Sequence, residues 1–260
     1  MSHVLIEAAN GVGTLWLNRP DLHNAFDDVL IAEVTAALDV LAGDTAVRVV
    51  FLAGRGKSFS AGADLAWMKR MAGYSAAQNE ADAMGLAAML HKLNVLPKPT
   101  IALVQGAALG GGVGLVAACD MAIAAEDAVF ALSETRLGLI PSVISPYVIA
   151  AIGARAARRY MLTAERFGAA KAEDLGLVSA VVPAGKLAAE GAGLADLLCQ
   201  NGPLAVGEAK NLIGYVAGRP NDAELRVETA RRIARVRATA EGREGVTAFL
   251  EKRKPSWRGP

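Results

Sequence analysis

Two glycine- and alanine-rich turns carry the clearest chemistry in this sequence. One is Ala108-Leu109-Gly110-Gly111-Gly112-Val113-Gly114, with three consecutive glycines at the start of a helix-like run. The first N–H groups of a helix have no intrahelical acceptor and sit at the positive end of the helix dipole. That geometry suits an oxygen on which negative charge develops. The other is Ser58-Phe59-Ser60-Ala61-Gly62-Ala63-Asp64-Leu65, where small residues follow a buried strand and an acidic residue opens a helix. Backbone N–H groups in such a turn point outward with no side chain in the way. Each turn also has a plain structural account. The triplet could reflect close helix packing that only glycine tolerates, and the turn at residues 58–65 an ordinary strand-to-helix connection with Asp64 as its cap. Finding both in one chain points to a pair of N–H donors that converge on one oxygen.

Other chemistries find no support. A phosphate loop ending in Gly56-Lys57-Ser58 needs a glycine five residues earlier, where Phe51 stands. No dinucleotide fingerprint opens a helix with an acidic partner at the right distance, and the G-x-S-x-G elbow is absent. His3, His23 and His91 lie far apart without metal-ligand spacing. Cys119 and Cys199 cannot build a disulfide scaffold or a four-cysteine zinc site.

Lys+Arg of 27 against Asp+Glu of 26 leaves a net charge of +1, so no bulk drive toward nucleic acid or an anionic membrane is expected. With 53% hydrophobic and 20% charged residues among 260, the chain is not disordered and can bury a large core. Met1-Ser2-His3-Val4 shows no basic region leading an apolar run, so no leader and a cytoplasmic location are expected. The stretch Ile101–Cys119 carries no charge over 19 residues and resembles a membrane span. Its five glycines and Gln105 make a poor continuous helix, and it divides into a strand-like and a helix-like half.

The elements that must position the two turns are legible from periodicity. Val4–Ala8 and Thr14–Leu17 flank Asn10-Gly11, a hairpin signal. Phe26, Val29, Leu30, Val34, Leu38 and Leu41 fall at helical spacing, with Asn24 or Asp27 as the cap. Val47–Ala53 reads as a buried strand, followed by helices over Leu65–Met71 and Ala76–Leu93. Strands Ile101–Val104, Met121–Ala124 and Val129–Ala131 then bracket a glycine-led helix over Gly111–Ala118. This alternation is α/β organisation. From about residue 200 only helices are expected: Pro203–Ala217, an arginine-lined Ala223–Thr239, and Glu244–Lys252. Asp120, ending an apolar helix, is expected to be buried and hydrogen-bonded.

Ser60-Ala61-Gly62-Ala63-Asp64-Leu65 and Gly106-Ala107-Ala108-Leu109-Gly110-Gly111-Gly112 together resemble the two signatures of the enoyl-CoA hydratase/isomerase (crotonase) family. Leu17-Asn18-Arg19-Pro20 with Asn24-Ala25-Phe26, the segment Glu134–Pro141, and Ala248–Pro255 resemble further family elements, so the likeness runs almost the whole chain. The resemblance implies an α/β fold, a spiral of ββα units, with the acyl-CoA site in residues 1–198. It implies a helical oligomerisation region in residues 199–260 that assembles trimers or hexamers. It implies that an acyl-CoA thioester carbonyl lies between the N–H groups of Ala63 and Gly111, and that no metal or redox cofactor is needed. CoA contacts carried over by resemblance fall on Ala25, Ala61, Ala63, Asp64 and Leu65, and on Phe249 and Lys252 near the C-terminus. Gly110 belongs to the same turn, and Trp67 and Met68 could wall the acyl pocket or belong to the core.

Family hydratases place two glutamates about the reacting carbons. Glu134 stands at the second position, whereas Gly114 occupies the first, 20 residues earlier. Three readings are open. A hydratase could work with Glu134 alone, water being held by backbone groups or by the substrate. The segments Gly111–Asp120 and Leu139–Val148 resemble bacterial methylglutaconyl-CoA and isohexenylglutaconyl-CoA hydratases, whose substrates carry a second carboxylate. Gly114 would then leave room for a branched acyl chain. Alternatively, an enoyl-CoA isomerase needs only one carboxylate as proton shuttle. A non-catalytic acyl-CoA or RNA binder is the third reading, resting on Arg226, Arg231, Arg232, Arg235 and Arg237 and on Lys252, Arg253 and Lys254; a solvated or subunit-interface face explains these charges as well. Ser142 and Ser145, after Pro141, are candidates to hold water or simply turn formers. Glu80 and Asp82 could face the acyl pocket, while Asp64 reads chiefly as a cap.

Overall fold

The computed structural model describes residues 2–258. Met1, where the leader reading begins, and Gly259 and Pro260, which end the expected C-terminal region, lie outside the described residues.

The chain opens on the expected hairpin. Strands β1 (Val4–Ala9) and β2 (Val12–Leu17) pair antiparallel across Asn10 and Gly11, both at positive φ (52° and 79°). Two left-handed residues make a turn whose twist matches that of the strands. There follow α1 (Asp28–Gly43), β3 (Val49–Gly54), α2 (Leu65–Met71), α3 (Ala76–Asn94), β4 (Thr100–Val104), β5 (Ala107–Leu109) and α4 (Gly111–Ala118). Next come β6 (Met121–Ala125), β7 (Val129–Ala131), α5 (Ser145–Thr163), β8 (Phe167–Gly168), α6 (Ala169–Asp174), β9 (Ala180–Val182) and α7 (Leu187–Cys199). The chain ends on α8 (Pro203–Val216), α9 (Ala223–Ala238) and α10 (Ala240–Leu250), which pack on one another.

A six-stranded sheet runs in the order β1-β2-β3-β4-β6-β9, parallel from β2 onward. Parallel strands need covered faces, and the period-two alternation supplies both. Val50, Leu52, Ala102, Val104, Ala122 and Ala124 face the main core, with Leu30, Val34 and Leu38 of α1 and Leu90 and Leu93 of α3. Val49, Phe51, Ala53, Ile101, Leu103 and Ile123 face the other way, onto Leu187 and Ala195 of α7. The continuous apolar run at 49–53 reflects this two-sided burial.

A smaller sheet, β5-β7-β8, lies beside the first. The successive pairs β4/β5 and β6/β7 each send one strand to each sheet, and α4 or α5 follows. These are the ββα units of the expected spiral. Ser60, after β3, bridges to Ala108 of β5, so the earlier turn joins the same layer.

The uncharged stretch at 101–119 is β4, β5 and the eight-residue α4, and no helix among the described residues is long and apolar enough to cross a membrane. The Asp120 expectation needs correction. Asp120 is exposed, because it sits past the end of α4. Its Oδ2 nevertheless accepts from the Thr100 N–H (2.7 Å), the Thr100 hydroxyl (2.9 Å) and Lys210 Nζ (2.7 Å).

Candidate active site

Two aspartates and one arginine hold the turn at residues 58–65, the first of the two along the chain. Asp27 caps α1 by accepting from the Leu30 N–H at 2.8 Å. Asp64 caps α2 by accepting from Ala66 N (2.8 Å) and Trp67 N (3.1 Å). The Arg19 guanidinium joins the two caps, 3.0 Å from each carboxylate, and donates to the Ala25 carbonyl at 2.7 Å. Burial pushes the Asp64 carboxyl up, but the Trp67 and Ala66 N–H groups and Arg19 outweigh it and hold it below the ordinary range. Phe26 N donates to the Gly62 carbonyl and Asp64 N to the Phe26 carbonyl, each at 2.7 Å. Between them the Ala63 N–H donates to no acceptor among the described residues.

The second turn is tied to the first. Ser60 N donates to the Ala107 carbonyl (3.0 Å) and Leu109 N to the Ser60 carbonyl (2.9 Å). Gly110 adopts φ 50°, a conformation that favours glycine, and its N–H donates to the Ala131 carbonyl at 2.8 Å. Gly111 opens α4, and its N–H is likewise without an acceptor among the described residues. A side chain at Gly111 would run into the Phe26 ring, and one at Gly112 would lie 2.6 Å from the Ser60 carbonyl oxygen. Packing and donor accounts of the triplet therefore both hold, because bare backbone is what lets α4 approach the first turn.

Glu134 begins a short 3-10 turn, Glu134–Leu137, just after β7. Its Oε1 lies beside Gly110, 3.1 Å from where a Cβ on that glycine would stand. Its Oε2 is buried with no hydrogen-bond partner among the described residues. Burial pushes this carboxyl above the ordinary range, opposed only by its own backbone N–H.

One cleft of about 660 Å³ gathers these groups. Of the residues expected at the site, Ala61, Ala63, Leu65, Trp67, Gly110, Gly111, Glu134, Pro141 and Ser142 line it, as does Met68. Five do not. Ala25 is buried beneath the turn with its carbonyl taken by Arg19. Asp64 is turned onto the α2 cap and the Arg19 guanidinium. Phe249 and Lys252 lie at the far end of the chain, Phe249 being 81% exposed, and neither reaches the cleft within one chain.

Gly114, the fifth, is the informative correction. It is buried in α4, and the room expected there for an acyl branch is filled by Ile144 from the start of α5. A Cβ at 114 would run into Ile144 Cγ2 and stand 2.8 Å from Ile144 Cβ. Gly114→Ala should therefore cost about 1–3 kcal/mol by overpacking, read as a lowered urea midpoint; an unchanged midpoint would refute the contact.

Sequence reasoning missed Ile144, Leu137 and Leu139, which line the cleft from a loop without periodicity. It also missed Phe26 as a wall, taking it for a helical position, although the helix starts at Asp28. Of the two α3 carboxylates, Asp82 lines the cleft and accepts from the Trp67 indole at 3.2 Å, whereas Glu80 does not line it. Ser145 is spent on its own loop, donating to the Ser142 carbonyl at 2.7 Å. Much of the C-terminal charge is paired: Arg232 with Glu228, Arg235 with Glu208, and Arg253 with Glu244 and Glu251. Among the described residues no group of three or more His, Cys, Asp or Glu could hold a metal ion.

Known proteins agree with this architecture. A family model for enoyl-CoA hydratase/isomerase matches residues 7–260. An enoyl-CoA hydratase from Shewanella pealeana is 45% identical and superposes with a TM-score of 0.95, covering 98% of this chain and 96% of that one. The 2,3-dehydroadipyl-CoA hydratase of Escherichia coli is 33% identical over 274 residues, spanning 100% of both chains. The mitochondrial Delta(3,5)-Delta(2,4)-dienoyl-CoA isomerase of Dictyostelium discoideum is 34% identical over 257 residues, 95% of this chain and 87% of its own. With its ββα spiral and paired glycine-rich turns, the chain belongs to the enoyl-CoA hydratase/isomerase (crotonase) family.

Proposed function

We propose that the cleft adds water across the 2,3 double bond of an enoyl-CoA thioester. The observation that carries this is the meeting of three unsatisfied groups in one cleft: the Ala63 and Gly111 N–H groups and the Glu134 carboxylate oxygen. The two N–H groups donate to the thioester carbonyl. They favour the enolate over the ground-state thioester, because charge on that oxygen grows as the reaction proceeds. Water oxygen bonds to the β-carbon while the double-bond electrons move toward the carbonyl. Glu134 takes the proton released by water and returns one to the α-carbon, so it ends as it began. No metal or redox cofactor enters this scheme.

The substrate we assign is a branched diacid thioester such as 3-methylglutaconyl-CoA. Its support is the likeness of Leu139–Val148 to hydratases of that class, together with the placing of Pro141 and Ser142 in the cleft wall. No Lys or Arg lines the cleft among the described residues, so a second carboxylate meets Ser142 or Asn79 there rather than a cation. The same reading gives residues 199–260 to subunit assembly as a trimer or a pair of trimers, with Ile213, Val246, Phe249 and Leu250 exposed on it. Phe249 and Lys252 then serve a neighbouring copy's CoA.

A second reading, an isomerase moving a 3-ene to a 2-ene, is favoured by the apolar Ile144 in the cleft wall, since proton shuttling needs no water. Incubation in ¹⁸O-labelled water separates the two. Gain of one labelled water, faster on 3-methylglutaconyl-CoA than on crotonyl-CoA, is the expected result. No water gain on either, with turnover of a 3-enoyl-CoA, replaces hydration with isomerisation. Faster turnover of crotonyl-CoA removes the diacid assignment and leaves hydration standing.

A further inference from the structure

We propose that Ile144 determines which acyl groups the enzyme accepts, by forming the cleft wall on the side where α4 contributes no side chain. The inference rests on the acyl-CoA reading of the cleft. Among the described residues, Gly110 and Gly111 are what the α4 end contributes to the lining, and both offer backbone alone. One turn further along, Gly114 has no room for a Cβ, because Ile144 Cγ2 and Cβ occupy that place. The overlap includes the branch carbon itself, so rotating the side chain does not relieve it. Ile144 thus stands over the first turn of α4, close to the N–H that is to hold the carbonyl and in the same cleft as Glu134.

This wall is stiff. Isoleucine branches at Cβ and has few χ1 options. Its carbonyl accepts from Tyr147 N (3.2 Å) and Val148 N (3.1 Å) at the start of α5. The preceding loop is closed by Ser145 N and Oγ, both donating to the Ser142 carbonyl, and Pro146 restrains the first turn of α5. Ile144 is only 3% exposed, yet it lines the cleft, so what little surface it shows is turned to the cleft. Ile144 packs against Gly114, one turn beyond Gly111 on α4, so the part of the acyl group nearest the carbonyl, the β-carbon substituent included, is what this wall is expected to meet.

The test compares β-methyl with β-phenyl substrates, crotonyl-CoA and cinnamoyl-CoA, in the full-length protein. Ile144→Ala should raise the cinnamoyl-to-crotonyl ratio of kcat/KM by about 10-fold or more, the range that methylene-sized changes in a pocket reach. Ile144→Val, which keeps the branch and removes one methyl group, should move the ratio the same way by a smaller factor than Ile144→Ala. A ratio equal to wild type in both variants overturns the proposal, since loss of stability alone lowers both substrates together. The ratio of dissociation constants for the saturated analogues butyryl-CoA and 3-phenylpropionyl-CoA should shift in parallel. That binding arm does not depend on turnover. An enzyme that hydrates nothing but shows the shift refutes the hydratase reading and keeps the Ile144 assignment; no shift in either arm refutes Ile144.

Discussion

Glu134→Gln should lower the hydration rate by about 10²- to 10⁴-fold, the usual contribution of a positioned acid or base. The amide keeps the size of the side chain but cannot take a proton from water or return one to the α-carbon. KM should change little, because the carbonyl contacts assigned to Ala63 and Gly111 are made by backbone. Loss of kcat with retained KM supports the assignment; retained kcat sinks it and leaves the cleft without its proton carrier. The wild-type rate should rise with pH through a value above the ordinary carboxylate range, since burial favours the protonated carboxyl and the proposed step needs the ionised one.

The same substitution should stabilise the fold. Burial raises the Glu134 carboxyl above its unfolded value, so the folded state binds the proton more tightly than the unfolded chain. That preference helps folding below the unfolded value and is lost as pH rises through the folded one. Above that window wild type carries a buried, unpartnered carboxylate oxygen, and Glu134→Gln does not. A Tm gain near neutral pH that shrinks toward pH 4 is the expected pattern, and it expresses the familiar conflict between site chemistry and stability.

Asp64→Ala should cost about 3 kcal/mol of stability, because breaking a buried pair leaves the Arg19 charge with Asp27 alone and uncaps α2. The contribution of Asp64 has the opposite pH sense to that of Glu134. Its folded carboxyl is held below the unfolded value, so its stabilisation is present above the unfolded value and fades as pH falls through the folded one. Asp64→Asn, which can still cap the helix, should cost clearly less. Equal losses for Ala and Asn would show that the charge on Asp64, and not its cap, is what matters. Activity should fall in Asp64→Ala as well, since Ala63 sits between the Gly62 carbonyl and the Asp64 N–H that pin the turn to Phe26.

Local rules carried the sequence reading a long way. Asn10-Gly11 named its hairpin, and the spacing of Leu30, Val34, Leu38 and Leu41 named the buried face of α1. Leu65–Met71 and Gly111–Ala118 begin and end where the sequence placed them, because Asp64 and the glycine triplet mark helix starts by chemistry that acts within a few residues. The two N–H-bearing turns were legible for the same reason, and Glu134 only through resemblance. Asp82 could not be decided, since an α3 of weak amphipathicity can turn either face inward.

The sequence by itself determined the α/β order, the helical C-terminal end and which backbone segments could hold an oxyanion, since these depend on periodicity, caps and glycine. Only the tertiary structure decided what surrounds them. Arg19, 45 residues before Asp64, links two caps; Phe26 presses on Gly111; Ile144, 30 residues beyond Gly114, fills the space that glycine leaves. No local propensity encodes those meetings. They arise when the ββα units stack and close packing assigns each vacant volume to whichever side chain the topology brings there.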